Sequence, residues 1–225
     1  MKNNLILLAI LFTVFSFKGF AQIDKDKLAL EVSKVDAENT EKLKKYIWKF
    51  HALISGEGGN NTMLVSEFKF DEKGELFIKI VDGQTNIESK PGIRGKVQQN
   101  ALESKLVYVS NAIKYSLAYT YMTKGQLLDF FDKAEINENN GVIIATGKNV
   151  YVKGDELTVF IDAKTKAFLS KSFTTKMSED PIKGEVKYEA LKSSQVNHIS
   201  ITKLEIPIEK IKIDGENKDY TIRVD

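Results

Sequence analysis

No cysteine occurs among the 225 residues, and the chain has two histidines, one tryptophan and three prolines. Without cysteine there is no disulfide, no thiolate nucleophile, no cysteine metal site and no anchor through an acylated cysteine. The histidines, His51 and His198, stand 147 positions apart, so neither an H-x-H nor an H-x-x-x-H pair is available to hold a metal ion. No G-x-S-x-G elbow accompanies them, which leaves a Ser-His-Asp arrangement without its usual frame. Aspartates and glutamates are numerous, but they fall in turns or alternate along strands as solvated residues do. These absences argue against an enzyme and against a metal or organic cofactor.

A membrane span and a charge surplus are missing too. Residues 5–17 form an uncharged run of thirteen, short of the roughly 20 that a spanning helix needs. Lys2 precedes this run, and Lys18, Gly19, Phe20 and Ala21 follow it, with small residues at 19 and 21. That is the order of a secretory signal peptide, and it predicts cleavage between Ala21 and Gln22. Lys2 and Lys18 go with it, and 31 basic side chains then face 31 acidic ones. A neutral mature chain does not suit nucleic acid or electrostatic docking on an anionic membrane. The expectation is a soluble, exported, periplasmic or secreted protein with no membrane span after cleavage. Residues 22–225 lack linkers, repeats and low-complexity tracts, so they read as a single domain.

Three regions differ in period. Residues 24–45 are charged, with Leu28, Val32 and Val35 at helical spacing: one helix, or two with Asp36 or Asn39 as an internal cap. From Tyr46 the period is two, with Tyr46, Trp48 and Phe50 on one face, and turns at 56–61 and 72–75 make a meander of hairpins. Residues 95–133 form a helical insertion with a break near Lys124–Gly125. One of its stripes runs Leu102, Leu106, Val109, Ile113, Leu117 and a second runs Tyr108, Ala112, Tyr115, Tyr119, Met122. Beyond 135 the period returns to two, and a slip in the pattern at Lys203–Leu204 suggests a bulge. About ten strands in all imply an α+β fold: a large curved antiparallel sheet with an N-terminal helix and an inserted helical lid.

Two features invite a functional reading. The stretch SKPGIRGKVQQ at 89–99 sets Lys90, Arg94 and Lys96 among glycines at the start of the long helix, but it has neither a Walker nor a dinucleotide pattern. It reads chiefly as a way into the helix, with cavity-mouth cations as the functional alternative. The lid helices carry more apolar area than one sheet contact requires. Tyr108, Tyr115, Tyr119, Met122, Leu127, Phe130 and Phe131, with Trp48 on the sheet, are therefore candidates to line a hydrophobic cavity, against the plainer reading of ordinary core.

The segments LKKYIW (43–48), FDEKGEL (70–76), GIRGK (92–96) and EDP…VKY (179–188) resemble an uncharacterised family of exported bacterial proteins. The order of elements is similar to the LolA/LolB-like half-barrel superfamily of periplasmic outer-membrane-lipoprotein carriers. That resemblance implies a bent sheet with an apolar concave face under a helical lid, and the holding of acylated molecules. The cavity arginine of the better-known relatives has no matched counterpart among the two arginines here, Arg94 and Arg223. The function expected is the binding of a hydrophobic small molecule, a lipid or an acylated protein between sheet and lid. The alternative left open is an envelope protein–protein interaction module with a filled core and no ligand.

Overall fold

The computed structural model describes residues 23–57, 61–85, 93–192 and 194–223, with side chains for all of these except 84, 85, 93–103, 105 and 106. The proposed signal at 1–21 and Lys90 lie outside the described residues, as do the side chains of Arg94 and Lys96.

Helix α1 (Lys25–Leu43) is continuous, so the two-helix option is not taken. Asp24 caps it by accepting from the Lys27 N–H, and its buried face carries Leu28, Ala29 and Val32. Neither suggested internal cap works as one. The Asn39 side chain donates to the Val35 carbonyl and accepts from the Asn197 N–H, which ties the helix to the sheet. Strands β1 (Tyr46–Ser55), β2 (Asn61–Phe70) and β3 (Leu76–Thr85) follow as the expected hairpins. Helix α2 (Ile93–Thr120) and helix α3 (Lys124–Lys133) form the lid. The break falls at 121–123, slightly before Lys124–Gly125, because Thr123 and Gln126 form a reciprocal capping box that starts α3 there. The remaining strands are β4 (Glu135–Asn139), β5 (Val142–Lys148), β6 (Glu156–Asp162), β7 (Phe168–Met177), β8 (Asp180–Ala190), β9 (Asn197–Ile206) and β10 (Ile211–Ile222).

All ten strands make one open antiparallel sheet in the order β3-β2-β1-β10-β9-β8-β7-β6-β5-β4, the α+β half-barrel that the sequence led us to expect. Its inner face is built by alternation: Trp48, Phe50, Ala52 and Ile54 of β1 are buried, as are Leu157, Val159 and Ile161 of β6. Bending so wide a sheet is eased by glycines on the inner face. A Cβ on Gly184 would lie 2.0 Å from the Phe173 ring, and one on Gly215 would lie 2.2 Å from the Phe50 ring. Each ring thus covers a glycine of a neighbouring strand. The bulge in β9 lies earlier than the sequence pattern suggested. Lys187 pairs with Ile201 and Tyr188 with Ile199, which leaves Ser200 as the extra residue. Ile201 then faces outward opposite Lys187 and Glu216, and Leu204 and Ile206 face in.

The lid is fastened by tyrosines. The Tyr119 ring stacks on Phe173 at 4.7 Å, and its hydroxyl donates to Asp155 Oδ2 at 2.7 Å beside Thr175 Oγ1. Tyr108 donates to Asp180 Oδ2 at 2.6 Å, and Tyr151 donates to the Ala118 carbonyl at 2.9 Å. Asp155 in turn accepts the backbone N–H groups of Val150, Tyr151 and Val152.

Candidate functional site

Among the described residues, two hollows of similar volume lie between the inner face of the sheet and the helices, with a smaller space bordered by residues of both. The first is a cleft of about 280 Å³ walled by Phe50, Leu64, Phe68, Ile78 and Ile80 of β1–β3 and by Ile113 of α2. Ser66, Ser110 and Lys114 add the polar atoms. Because β3 is the edge strand, this cleft opens sideways: Ile78 is half-buried and Ile80 is 57% exposed, although both belong to the inward-facing series opposite Phe68 and Ser66.

The second hollow, also about 280 Å³, lies under α1 and the α2–α3 junction. Asp36, Thr40, Tyr121, Met122, Tyr188 and His198 line it, and Lys73 and Lys124 stand at its rim. A small space of about 20 Å³, the link, shares lining residues with each. Phe50, Phe68 and Ile113 border both the cleft and the link, and Thr120, Tyr121 and Ile199 border both the link and the second hollow. A further hollow of about 340 Å³ on the outer face is floored by the charged positions of β6–β9, among them Glu156, Lys183 and Lys203, and is solvated surface.

The second hollow is polar where the first is not. Lys171, 1% exposed, sits behind its wall and donates to the Thr120 carbonyl at 2.8 Å, with its ammonium 4.1 Å from the Phe168 ring centre. Burial lowers its pKa to about 8 against the opposing pull of Asp36. Burial likewise raises the Asp36 carboxyl, and Lys171 counteracts it only in part. Tyr188 donates to the same Thr120 carbonyl, and burial holds its phenol well above the usual range, with Asp36 and Tyr121 adding to the effect. His198 Nδ1 lies 2.8 Å from the Tyr220 hydroxyl and 2.9 Å from the Ile199 carbonyl, and burial lowers its pKa.

Of the eight cavity candidates, Met122 lines the polar hollow, and the other seven line none of the spaces described above. Trp48, 1% exposed, donates to Asn217 Oδ1 at 3.1 Å and stacks on Tyr220. Tyr119, Leu127, Phe130 and Phe131 are buried in the main core, with Tyr108 and Tyr115 packed half-buried against it. The other stripe supplies Ile113 to the cleft and, with Leu117, to the small space beside it. Sequence reading did not find the Asp36–Lys171 pair. A signal exists, since Lys171 shares the inward phase of β7 with Phe173 and Thr175 while Ser170 and Ser172 face the other way.

Among the described residues, no group of three His, Asp or Glu side chains could hold a metal ion, and no helix is long and apolar enough to cross a membrane. No family model matches the chain, and no curated protein is significantly similar to it in sequence. Solved structures align with it over most of its length. One is a DUF1329 family protein from Desulfovibrio piger, with 9% identity, a TM-score of 0.42, and 89% of this chain and 92% of that chain covered. Another is a LolA superfamily protein from Nitrosomonas europaea, with 6% identity, a TM-score of 0.42, and coverage of 87% and 94%.

Proposed function

We propose that the protein is exported, loses residues 1–21, and holds a hydrophobic or acylated ligand non-covalently between the sheet and α2. The observation that carries this reading is the cleft at the β3 edge. Six large apolar side chains line it, so water inside finds few partners and an apolar guest is favoured by about 25 cal/mol per Å² of apolar surface removed from water. Its volume of about 280 Å³ sits at the small end of ligand pockets, roughly 300–1,000 Å³. The tyrosine fastenings on α2 keep the lid in place without sealing the edge. The role is binding, and its partner is a lipid, a hydrophobic small molecule or the acyl part of a modified envelope protein.

Protein purified without detergent from its native compartment should release an apolar compound on organic extraction, detected by mass spectrometry, and its intact mass should begin at Gln22. An apolar fluorescent probe should bind the emptied protein, and Ile113→Trp, which fills the cleft, should abolish uptake while the fold persists. Uptake unchanged in a folded Ile113→Trp protein would remove the cleft from consideration.

A further inference from the structure

The polar hollow has an acceptor without a donor. Among the described residues, Asp36 makes no hydrogen bond. Lys171 pulls on it electrostatically without an ion-pair contact, its ammonium being occupied by the Thr120 carbonyl and the faces of Phe168 and Tyr188. The carboxylate charge is thus partly offset from inside the wall, while its oxygens stay open to donors in the hollow. A carboxylate in that condition is best completed by neutral donors, because a second cation would leave the wall with uncompensated positive charge. Hydroxyl groups are such donors. The flanking Thr40 hydroxyl and the rings of Tyr121 and Tyr188 give the polar and flat apolar contacts that a polyol also uses.

The link to the cleft adds a geometric restriction. At about 20 Å³ it has room for about one water, so a guest that reaches from one hollow to the other through it is a single unbranched chain. We propose that the polar hollow binds a neutral polyhydroxylated head group, a glycerol or a sugar, on a single-chain amphiphile whose acyl or alkyl chain passes Tyr121 into the apolar cleft, and that Asp36 accepts hydrogen bonds from its hydroxyls. This rests on the cleft being a ligand site, as proposed above.

Decanoyl glycerol, decyl glucoside and methyl decanoate, each below its micellar concentration, are titrated into the full mature protein by calorimetry. They share a ten-carbon chain and differ in the head. At least one hydroxylated ligand should bind about tenfold or more tighter than methyl decanoate, as hydrogen bonds to a charged acceptor allow, and whichever of the two binds better identifies the head. Asp36→Asn, which keeps a neutral acceptor, should weaken that preference severalfold, the charge-free pair Asp36→Leu/Lys171→Met should erase it, and both should leave methyl decanoate binding unchanged. If Asp36→Asn does not fold, the charge-free pair alone decides. Equal binding of all three ligands by the wild type would overturn the head-group site and leave the cleft standing. No binding of any of them would overturn both, and a preference undiminished in a folded Asp36 variant would show that the hydroxyls do not meet Asp36.

Discussion

Lys171 is a lysine buried to 1% exposure, and its titration can be read from outside. Its folded pKa, about 8, lies below the ordinary lysine value of 10.5 because burial disfavours the charged form. The folded state therefore binds this proton less tightly than the unfolded chain. The penalty is fully present below pH 8 and is relieved as pH rises toward 10.5. Wild-type stability should rise by about 2 kcal/mol between pH 7.5 and 9.5 relative to Asp36→Leu/Lys171→Met, measured by guanidinium unfolding. A difference that stays flat with pH would mean the ammonium is hydrated in the folded protein. The window closes near pH 10, because burial raises Tyr119, Tyr121, Tyr188 and Tyr220, and tyrosines with raised pKa lose stability above that point. Tyr119 tests the packing reading: Tyr119→Ala should cost about 3–5 kcal/mol, as for a large core aromatic. Tyr119→Phe should cost about 1 kcal/mol, because Asp155 keeps its three backbone donors. Its helical spacing placed Tyr119 on an apolar face but could not say whether that face meets packed rings or empty space. That depends on Phe173 and Tyr151, which are distant in sequence.

The elements themselves were largely legible, because each period has a local cause. The strands alternate around a single buried face, and the N-terminal helix and the lid carry apolar residues at helical spacing with a polar cap ahead. What local period cannot supply is register against a neighbour. Ile199 and Ile201 look like one strand face until pairing with Tyr188 and Lys187 leaves Ser200 over. His198, beside that bulge, is buried with its ring against Tyr220. The inner-face glycines are the register effect most open to test. Gly215→Ala should destabilise the protein by about 1–3 kcal/mol as the Phe50 ring is displaced. Phe50→Leu in the same chain should recover part of that loss, so the double mutant is less unstable than the sum of the singles in urea melts. Strict additivity would mean that ring and glycine do not share the space. For the lid, Thr123→Ala removes one half of the α3 capping box and should cost about 1 kcal/mol by the same assay.

At the scale of the molecule, the first and last strands meet inside the sheet. Strand β1 pairs with β10, so Tyr46 lies opposite Ile222, and the β1–β3 meander reaches the rest of the sheet only through that seam. The apolar cleft is built on this meander, while the polar hollow depends on α1, β8 and β9 as well. A ligand spanning both would bridge the seam. Trp48, the only tryptophan, reports on it: it is buried in β1, hydrogen-bonded to Asn217 and stacked on Tyr220 of β10 at 5.6 Å. If the seam is as strong as its aromatic packing and paired backbone imply, the meander cannot unfold ahead of the remaining strands. Tryptophan emission and far-UV circular dichroism should then trace one coincident urea transition, as a cooperative single domain requires. Asn217→Leu leaves the Trp48 indole N–H buried without its acceptor, at a cost of about 1–3 kcal/mol. It should shift both curves to lower urea together. An emission change that precedes the loss of ellipticity, in the wild type or in Asn217→Leu, would instead make the β1–β3 flap a separately opening unit, and the cleft would then open by moving the sheet edge while α2 stays fastened.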